Sequence, residues 1–242
     1  MDGYYIRQLL DPDEAAYILS TLGEDYISWR DGRETLGQLT PESSSWEDYA
    51  KFKINVEAIE PEHDLEHLRE VIFNKLDCDR EFLTGTAAAS STRPMFTKTN
   101  VGGYYSPHHD APKNGHYSTT IFLSPKDEYD GGELCLFVNN KPEYIKLDPG
   151  WAITYQTGTP HCVTEVTRGT RAVSVFWTTS RIADPEYREW YCDIRRALNQ
   201  LPQAPLDSQR SLDEAIVDPE FILKGLLNKM ERKLTNEGRN PN

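Results

Sequence analysis

His108, Asp110 and His161, followed ten positions later by Arg171, are the residues whose types and spacing could do chemistry. In an extended segment residues i and i+2 point to the same side, so His108 and Asp110 face together and His109 turns away. Two ligands on one strand fix two corners of a triangular face, and a second strand must bring the third. His161, which lies 51 positions after Asp110, can be that third ligand. Two imidazoles and one carboxylate suit Fe(II) or Mn(II) and leave coordination positions open for reaction.

The other histidines fit less well. His116 sits in the Lys113-Asn114-Gly115 turn, where exposure is the simpler expectation. His63 and His67 share a helix face at i, i+4 but have no third ligand nearby, so they read as surface residues.

Arg171 opens the run Arg171-Ala172-Val173-Ser174-Val175-Phe176-Trp177, whose alternation puts Arg171, Val173, Val175 and Trp177 on one face. An inward arginine is costly without an anion, and its planar fork matches a carboxylate. The metal face is therefore expected to lie beside an anionic co-substrate. Ser118, Thr120 and Phe122 alternate likewise, making Thr120 or Ser118 a candidate hydroxyl for the anion site. Trp177 is a candidate wall, Tyr104 and Tyr105 either line the pocket or fill the core, and Cys162 has the parity of core filler.

These residues need a frame of strands. Short β-rich runs cover Met95–Tyr105, Tyr117–Leu123, Glu133–Val138, Glu143–Leu147, Trp151–Tyr155, His161–Val166 and Arg171–Thr178. Asp130-Gly131-Gly132, Asn139-Asn140, Asp148-Pro149-Gly150 and Arg168-Gly169 punctuate them with turn chemistry. Many short strands without intervening helices predict a mainly β sandwich or jelly roll with flanking helices. Asp11-Pro12-Asp13-Glu14 opens a helix as a capping box that Gly23 stops, and a second helix is expected over about Pro61–Leu76. Gly32–Asp48 reads as a loop and a candidate lid. Asp184-Pro185 opens a helix to about Leu198. Beyond the linker Leu201–Leu206, Ser211 and Glu214 again fit a capping box. The stripe Leu223, Leu226, Leu227, Met230 and Leu234 then packs on the domain or makes a homodimer seam. The expected division is 1–94 as helical and strand support packed on the core, 95–181 as the jelly-roll core and 182–242 as C-terminal helices.

A formal net charge of −13 argues against a nucleic-acid backbone as partner. No signal peptide is evident and no window approaches the roughly 20 apolar residues of a membrane span. Four scattered cysteines without a CxxC pair fit free thiols in a soluble, cytoplasmic protein.

The stretch from about Met95 to Arg181 resembles the Fe(II) and 2-oxoglutarate dioxygenase domain, particularly the PKHD-type branch related to prolyl 4-hydroxylases. The resemblance rests on Tyr105-Ser106-Pro107-His108-His109-Asp110, Thr120-Ile121-Phe122-Leu123-Ser124, Tyr129-Asp130-Gly131-Gly132-Glu133-Leu134 and the run His161 to Arg171. Trp29-Arg30-Asp31-Gly32-Arg33 resembles that branch too. The resemblance implies a double-stranded β-helix with His108, Asp110 and His161 on Fe(II). It also implies 2-oxoglutarate held by Arg171, with Thr120 as a helper, and O₂ as the oxidant. Ascorbate is a candidate reductant. The implied substrate is a prolyl-type residue in a peptide or protein, with a free amino acid or other small metabolite as the alternative. A non-catalytic jelly-roll binding module is the rival of a different class. Thr99 stands where the branch often carries tyrosine, and Ala111-Pro112 follows Asp110 where asparagine is common, so both departures bear on substrate.

Overall fold

The structure is a computed structural model that describes residues 3–35, 52–200, 225, 227–229 and 231–232, with side chains up to residue 195 in the second span. The N-terminal strands are β1 (Tyr4–Gln8), β2 (Ser28–Asp31), β3 (Lys53–Ile54), β4 (Val56–Glu60) and β5 (Ala88–Ser91). They are followed by β6 (Met95–Asn100), β7 (Tyr104–His108), β8 (Tyr117–Phe122), β9 (Asp130–Gly131) and β10 (Leu134–Val138). The last five are β11 (Lys141–Ile145), β12 (Trp151–Gln156), β13 (His161–Val163), β14 (Val166–Arg168) and β15 (Thr170–Ser180). The helices are α1 (Pro12–Leu22), α2 (Glu62–Cys78), α3 (Arg80–Thr86) and α4 (Pro185–Gln200).

The described residues fall into two compact units, one formed by residues 2–79 and 91–179, the other by residues 80–90 and from 180 onward. In the first, seven antiparallel strands run in the order β1-β12-β8-β15-β6-β4-β2, and a second sheet runs β11-β10-β13-β7-β3. Phe122, Ile153, Tyr155 and Val173 from the large sheet meet Leu134, Leu136 and Ile145 from the small one in a shared core. This is the expected jelly roll. N-terminal strands that the sequence pattern did not reveal complete it: β1 pairs with β12, β4 with β6, and β3 with β7.

Local chemistry explains the elements. The Asp11 side chain accepts from the Glu14 N–H at 2.9 Å while the Glu14 carboxylate accepts from the Asp11 N–H at 3.0 Å, closing the capping box of α1. Gly23 ends that helix in the ordinary right-handed conformation (φ −80°), so its role there needs no left-handed backbone. On α2 the expected stripe Leu65, Leu68, Ile72 and Leu76 is buried, and His63 and His67 are exposed. Asn139 and Asn140, at φ 51° and 60°, close the β10–β11 hairpin with the left-handed pair that a two-residue type I′ turn requires. The run Met95–Tyr105 is two strands rather than one, broken at residues 101–103, and His161–Val166 divides into β13 and β14 in the same way.

Because Ile153 is fully buried between the sheets, Ile153→Ala should cost about 2–5 kcal/mol of unfolding free energy. Chemical denaturation would read this as a lower midpoint with an unchanged slope.

In the second unit Ala87, just past α3, and Ile182 cluster with Tyr191 and Cys192 of α4 and with Leu227. Asp184 opens α4 as expected, its carboxylate accepting from the Tyr187 N–H at 3.0 Å. Of the C-terminal stripe only Leu227 is described, and it is buried in that cluster; Leu223, Leu226, Met230 and Leu234 lie outside the described residues, as do residues 36–48 of the expected loop, the linker Leu201–Leu206 and the pair Ser211 and Glu214. The start of the loop, Gly32–Thr35, is a 3₁₀ turn. Among the described residues no helix is long and apolar enough to cross a membrane.

Candidate active site

Strands β13 and β7 are antiparallel neighbours with His161 directly opposite His108, which brings the two rings to 4.2 Å between centroids. Asp110 lies just past the end of β7, not within it. One ligand-capable atom from each of His108, Asp110 and His161 falls within 4.8 Å of the others. His108 Nε2 is 3.8 Å from Asp110 Oδ1, and His161 Nε2 is 3.8 Å from Asp110 Oδ2.

Both imidazoles are oriented from behind. His108 Nδ1 lies 2.8 Å from the Ser106 carbonyl and His161 Nδ1 lies 2.9 Å from the Thr159 carbonyl. A carbonyl can only accept, so each Nδ1 carries the proton and each Nε2 presents its lone pair to the centre. His108 Nε2 is buried and has no hydrogen-bond partner. Burial first, and then the neighbouring His161, bring the His108 pKa down to about 4, so the ring is neutral at neutral pH. A buried lone pair facing a second imidazole and a carboxylate is the donor set a divalent cation fits. His109 turns away as expected and meets the Gly158 carbonyl at 2.9 Å.

The wall beside the histidines is aromatic. Tyr105 stacks on His108 with centroids 3.7 Å apart, and Phe52 meets the same imidazole at 6.3 Å. Tyr105 therefore lines the site. Lys53, from β3, holds its ammonium 4.9 Å from the centre of the Tyr105 ring. Burial lowers the Lys53 pKa, with Glu57 and Asp110 opposing that shift.

Arg171 is 4 % exposed, and among the described residues no carboxylate pairs with it. Its Nε is buried without a hydrogen-bond partner, and its guanidinium lies 5.6 Å from the centre of the Phe122 ring. Burial lowers its pKa, and Tyr129 and Tyr155 oppose the shift. The Tyr129 hydroxyl is likewise buried and unpartnered. Gly132, at φ +66°, leaves room here: a Cβ on it would stand 3.1 Å from Arg171 Cδ and 3.2 Å from the Tyr129 ring. Thr120 is buried and hydrogen-bonded to Tyr155, which lies 5.2 Å from the His161 ring. The candidate Ser118 goes elsewhere, donating to Asp110 Oδ2 at 2.7 Å, so its bonding is to the carboxylate of the trio rather than beside the arginine.

Tyr129 and Tyr155, like Phe52 and Lys53, are site residues that the sequence pattern missed. Tyr129 precedes the Asp130-Gly131-Gly132 turn and Tyr155 lies inward on β12, where an aromatic reads as core. Cys162 points away from the site, as its parity requires, and faces Cys135 across the β10–β13 pairing.

Comparison with known proteins agrees with this geometry. The family model of the 2OG-Fe(II) oxygenase superfamily matches residues 94–179. A PKHD-type hydroxylase of Prochlorococcus marinus strain NATL1A is 33 % identical over 192 residues, covering 77 % of this chain and 82 % of that protein. Another, from Delftia acidovorans, is 32 % identical over 206 residues, covering 81 % and 86 %. Among solved structures, a Trichoplax adhaerens prolyl hydroxylase in complex with a hypoxia inducible factor peptide fragment superposes with TM-score 0.53 at 17 % identity, covering 78 % of this chain and 87 % of that one. That likeness supports the jelly-roll fold. The family works with Fe(II), 2-oxoglutarate and O₂, and a chain this similar along four fifths of its length belongs to the PKHD-type hydroxylases of the 2OG-Fe(II) oxygenase superfamily.

Proposed function

We propose that this oxygenase hydroxylates an unactivated C–H bond of a prolyl-type residue in a peptide or protein. In this reading His108, Asp110 and His161 hold Fe(II), and Arg171, with the Tyr129 hydroxyl and Thr120 beside it, holds the distal carboxylate of 2-oxoglutarate. The observation that carries it is a pair of unsatisfied buried groups, the His108 Nε2 lone pair and the Arg171 Nε–H, with Tyr155 beside the His161 ring and within the field of both Asp110 and Arg171. A cation would satisfy the first and an anion the second. The loaded centre would supply C–H hydroxylation coupled to decarboxylation of the keto acid to succinate and CO₂.

The chain's own residues bind, orient and exclude water. The Ser106 and Thr159 carbonyls keep the imidazoles in the binding tautomer. Tyr105, Phe52 and Trp177 present apolar surface around the centre. The names of the relatives support hydroxylation, and the peptide in the Trichoplax neighbour supports a peptide substrate. We further read residues 95–181 as the catalytic core, ascorbate as the auxiliary reductant and the cytoplasm as the compartment. The last rests on Cys78, Cys135 and Cys162 as free thiols.

Anaerobic addition of Fe(II) and then 2-oxoglutarate should produce a weak visible absorption band, and O₂ should then release succinate. No band from the intact protein would defeat the reading of the site. Incubation with a panel of proline-containing peptides and free amino acids, read by mass spectrometry, tests the substrate. Oxygen gained by a free amino acid alone would defeat the peptide assignment.

A further inference from the structure

We infer that Trp177 and Ser118 are positioning residues that commit Asp110 to bind metal through Oδ1 alone. This rests on the reading that His108, Asp110 and His161 hold the ion.

Trp177 on β15 and Ser118 on β8 are direct cross-strand partners. Both side chains reach the same oxygen. The indole Nε1–H donates to Asp110 Oδ2 at 2.9 Å and the Ser118 hydroxyl donates to it at 2.7 Å. A carboxylate oxygen has two acceptor sites, so these two donors occupy both. Distance to the histidines does not choose between the oxygens, since Oδ1 is 3.8 Å from His108 Nε2 and Oδ2 is 3.8 Å from His161 Nε2. Hydrogen bonding does choose. Oδ1 accepts no hydrogen bond among the described residues and keeps its lone pairs for the ion.

The donors are themselves held. The Trp177 N–H donates to Thr92 Oγ1 at 2.9 Å and its carbonyl accepts from the Thr92 N–H at 2.8 Å. Ser118 is fully buried and lies 3.3 Å from Thr157 Oγ1. Rotating the carboxylate to offer both oxygens would break two charge-assisted hydrogen bonds in a buried setting. One carboxylate oxygen and two imidazoles would leave further positions of the ion open, which a keto acid and O₂ would use. The clamp thus protects the position that a two-oxygen carboxylate would take. Because Arg171 lies on the same face of β15, one strand sets both the anion site and the geometry of the carboxylate.

The test uses Co(II), whose visible absorption reports coordination number, added to the metal-free full chain. Trp177→Phe keeps the ring bulk and removes the donor; Ser118→Ala removes the other donor. Each should weaken Co(II) binding by about 10–100-fold and change the Co(II) spectrum. The thermal midpoint of the metal-free protein serves as the control for folding. If Trp177→Phe and Ser118→Ala both bind Co(II) with the affinity and spectrum of the unaltered chain, the clamp is overturned while the metal site stands. If the unaltered chain takes up no Co(II), the metal site falls and the clamp with it. The two substitutions act independently, so misfolding of one leaves the other to decide.

Discussion

His161→Ala should abolish the anaerobic Fe(II)–2-oxoglutarate absorption band and reduce metal affinity by more than about a hundredfold. The magnitude follows from a comparison of roles. Removing a group that merely orients a metal ligand typically costs about 10–100-fold, and His161 is proposed as a ligand itself. Its Nε2 faces Asp110 at 3.8 Å, its Nδ1 proton is engaged by Thr159, and its ring lies 4.2 Å from that of His108. Among the described residues no other ligand group joins the trio, and His109 is engaged with the Gly158 carbonyl on the other side. Asp110→Ala should behave alike. The metal-free variant should stay folded, because the core of Phe122, Leu134, Leu136, Ile145, Ile153 and Val173 does not include His161. Isothermal titration with Mn(II), alongside circular dichroism, checks both halves. A band that persists in the His161→Ala protein would remove His161 from the metal centre.

The same strand pairing explains why these residues were legible in the sequence. A His-x-Asp pair projects to one side of an extended chain, and a distant histidine becomes a neighbour once β13 lies against β7. Arg171 was legible because alternation on β15 is strict and a charge on an inward face needs a reason. The frame was legible from Gly131 to Gly169, where turn residues recur between short apolar runs. Gly131 shows how firm that signal is: it sits at φ +71°, and a Cβ there would collide with the Glu165 carbonyl oxygen.

Other features carried no local signature. The role of Ser118 depends on Asp110 eight residues earlier, and that of Trp177 on the same carboxylate 67 residues away. Neither partner follows from alternation, which gives the face a side chain takes but not the atom it meets. Tyr155 and Tyr129 read as core because a buried tyrosine usually is core. Strands β1 to β4, expected only as strand support somewhere within 1–94, could not be placed because their sequences are short and mixed. β3 is two residues long and exists through its pairing with β7. Tertiary pairing made those strands, and no propensity announced them.

Arg171→Leu should raise stability and lose the co-substrate at the same time. Without an anion, the buried guanidinium is a desolvated charge with an unsatisfied Nε–H, beside Tyr129, Tyr155 and the Phe122 ring. Desolvating a charge without full compensation costs several kcal/mol, so an apolar side chain of similar reach should raise the thermal midpoint of the metal-free protein. The co-substrate carboxylate, which Arg171 is proposed to hold, would in turn lose a bidentate partner. Two charge-assisted hydrogen bonds at about 1.5–3 kcal/mol each amount to a hundredfold or more in the Kd for 2-oxoglutarate. Arg171→Lys separates fork from charge: it keeps the cation but should recover only part of the affinity, because a point charge cannot reproduce the paired geometry. The stabilising half and the binding half have opposite signs, which ordinary loss of fold cannot produce. A variant that is less stable and yet binds 2-oxoglutarate normally would show that Arg171 serves packing alone. Metal binding should survive Arg171→Leu, since Arg171 is no part of the His108, Asp110 and His161 trio. Mn(II) affinity measured without co-substrate then tests whether the metal site and the anion site fail separately.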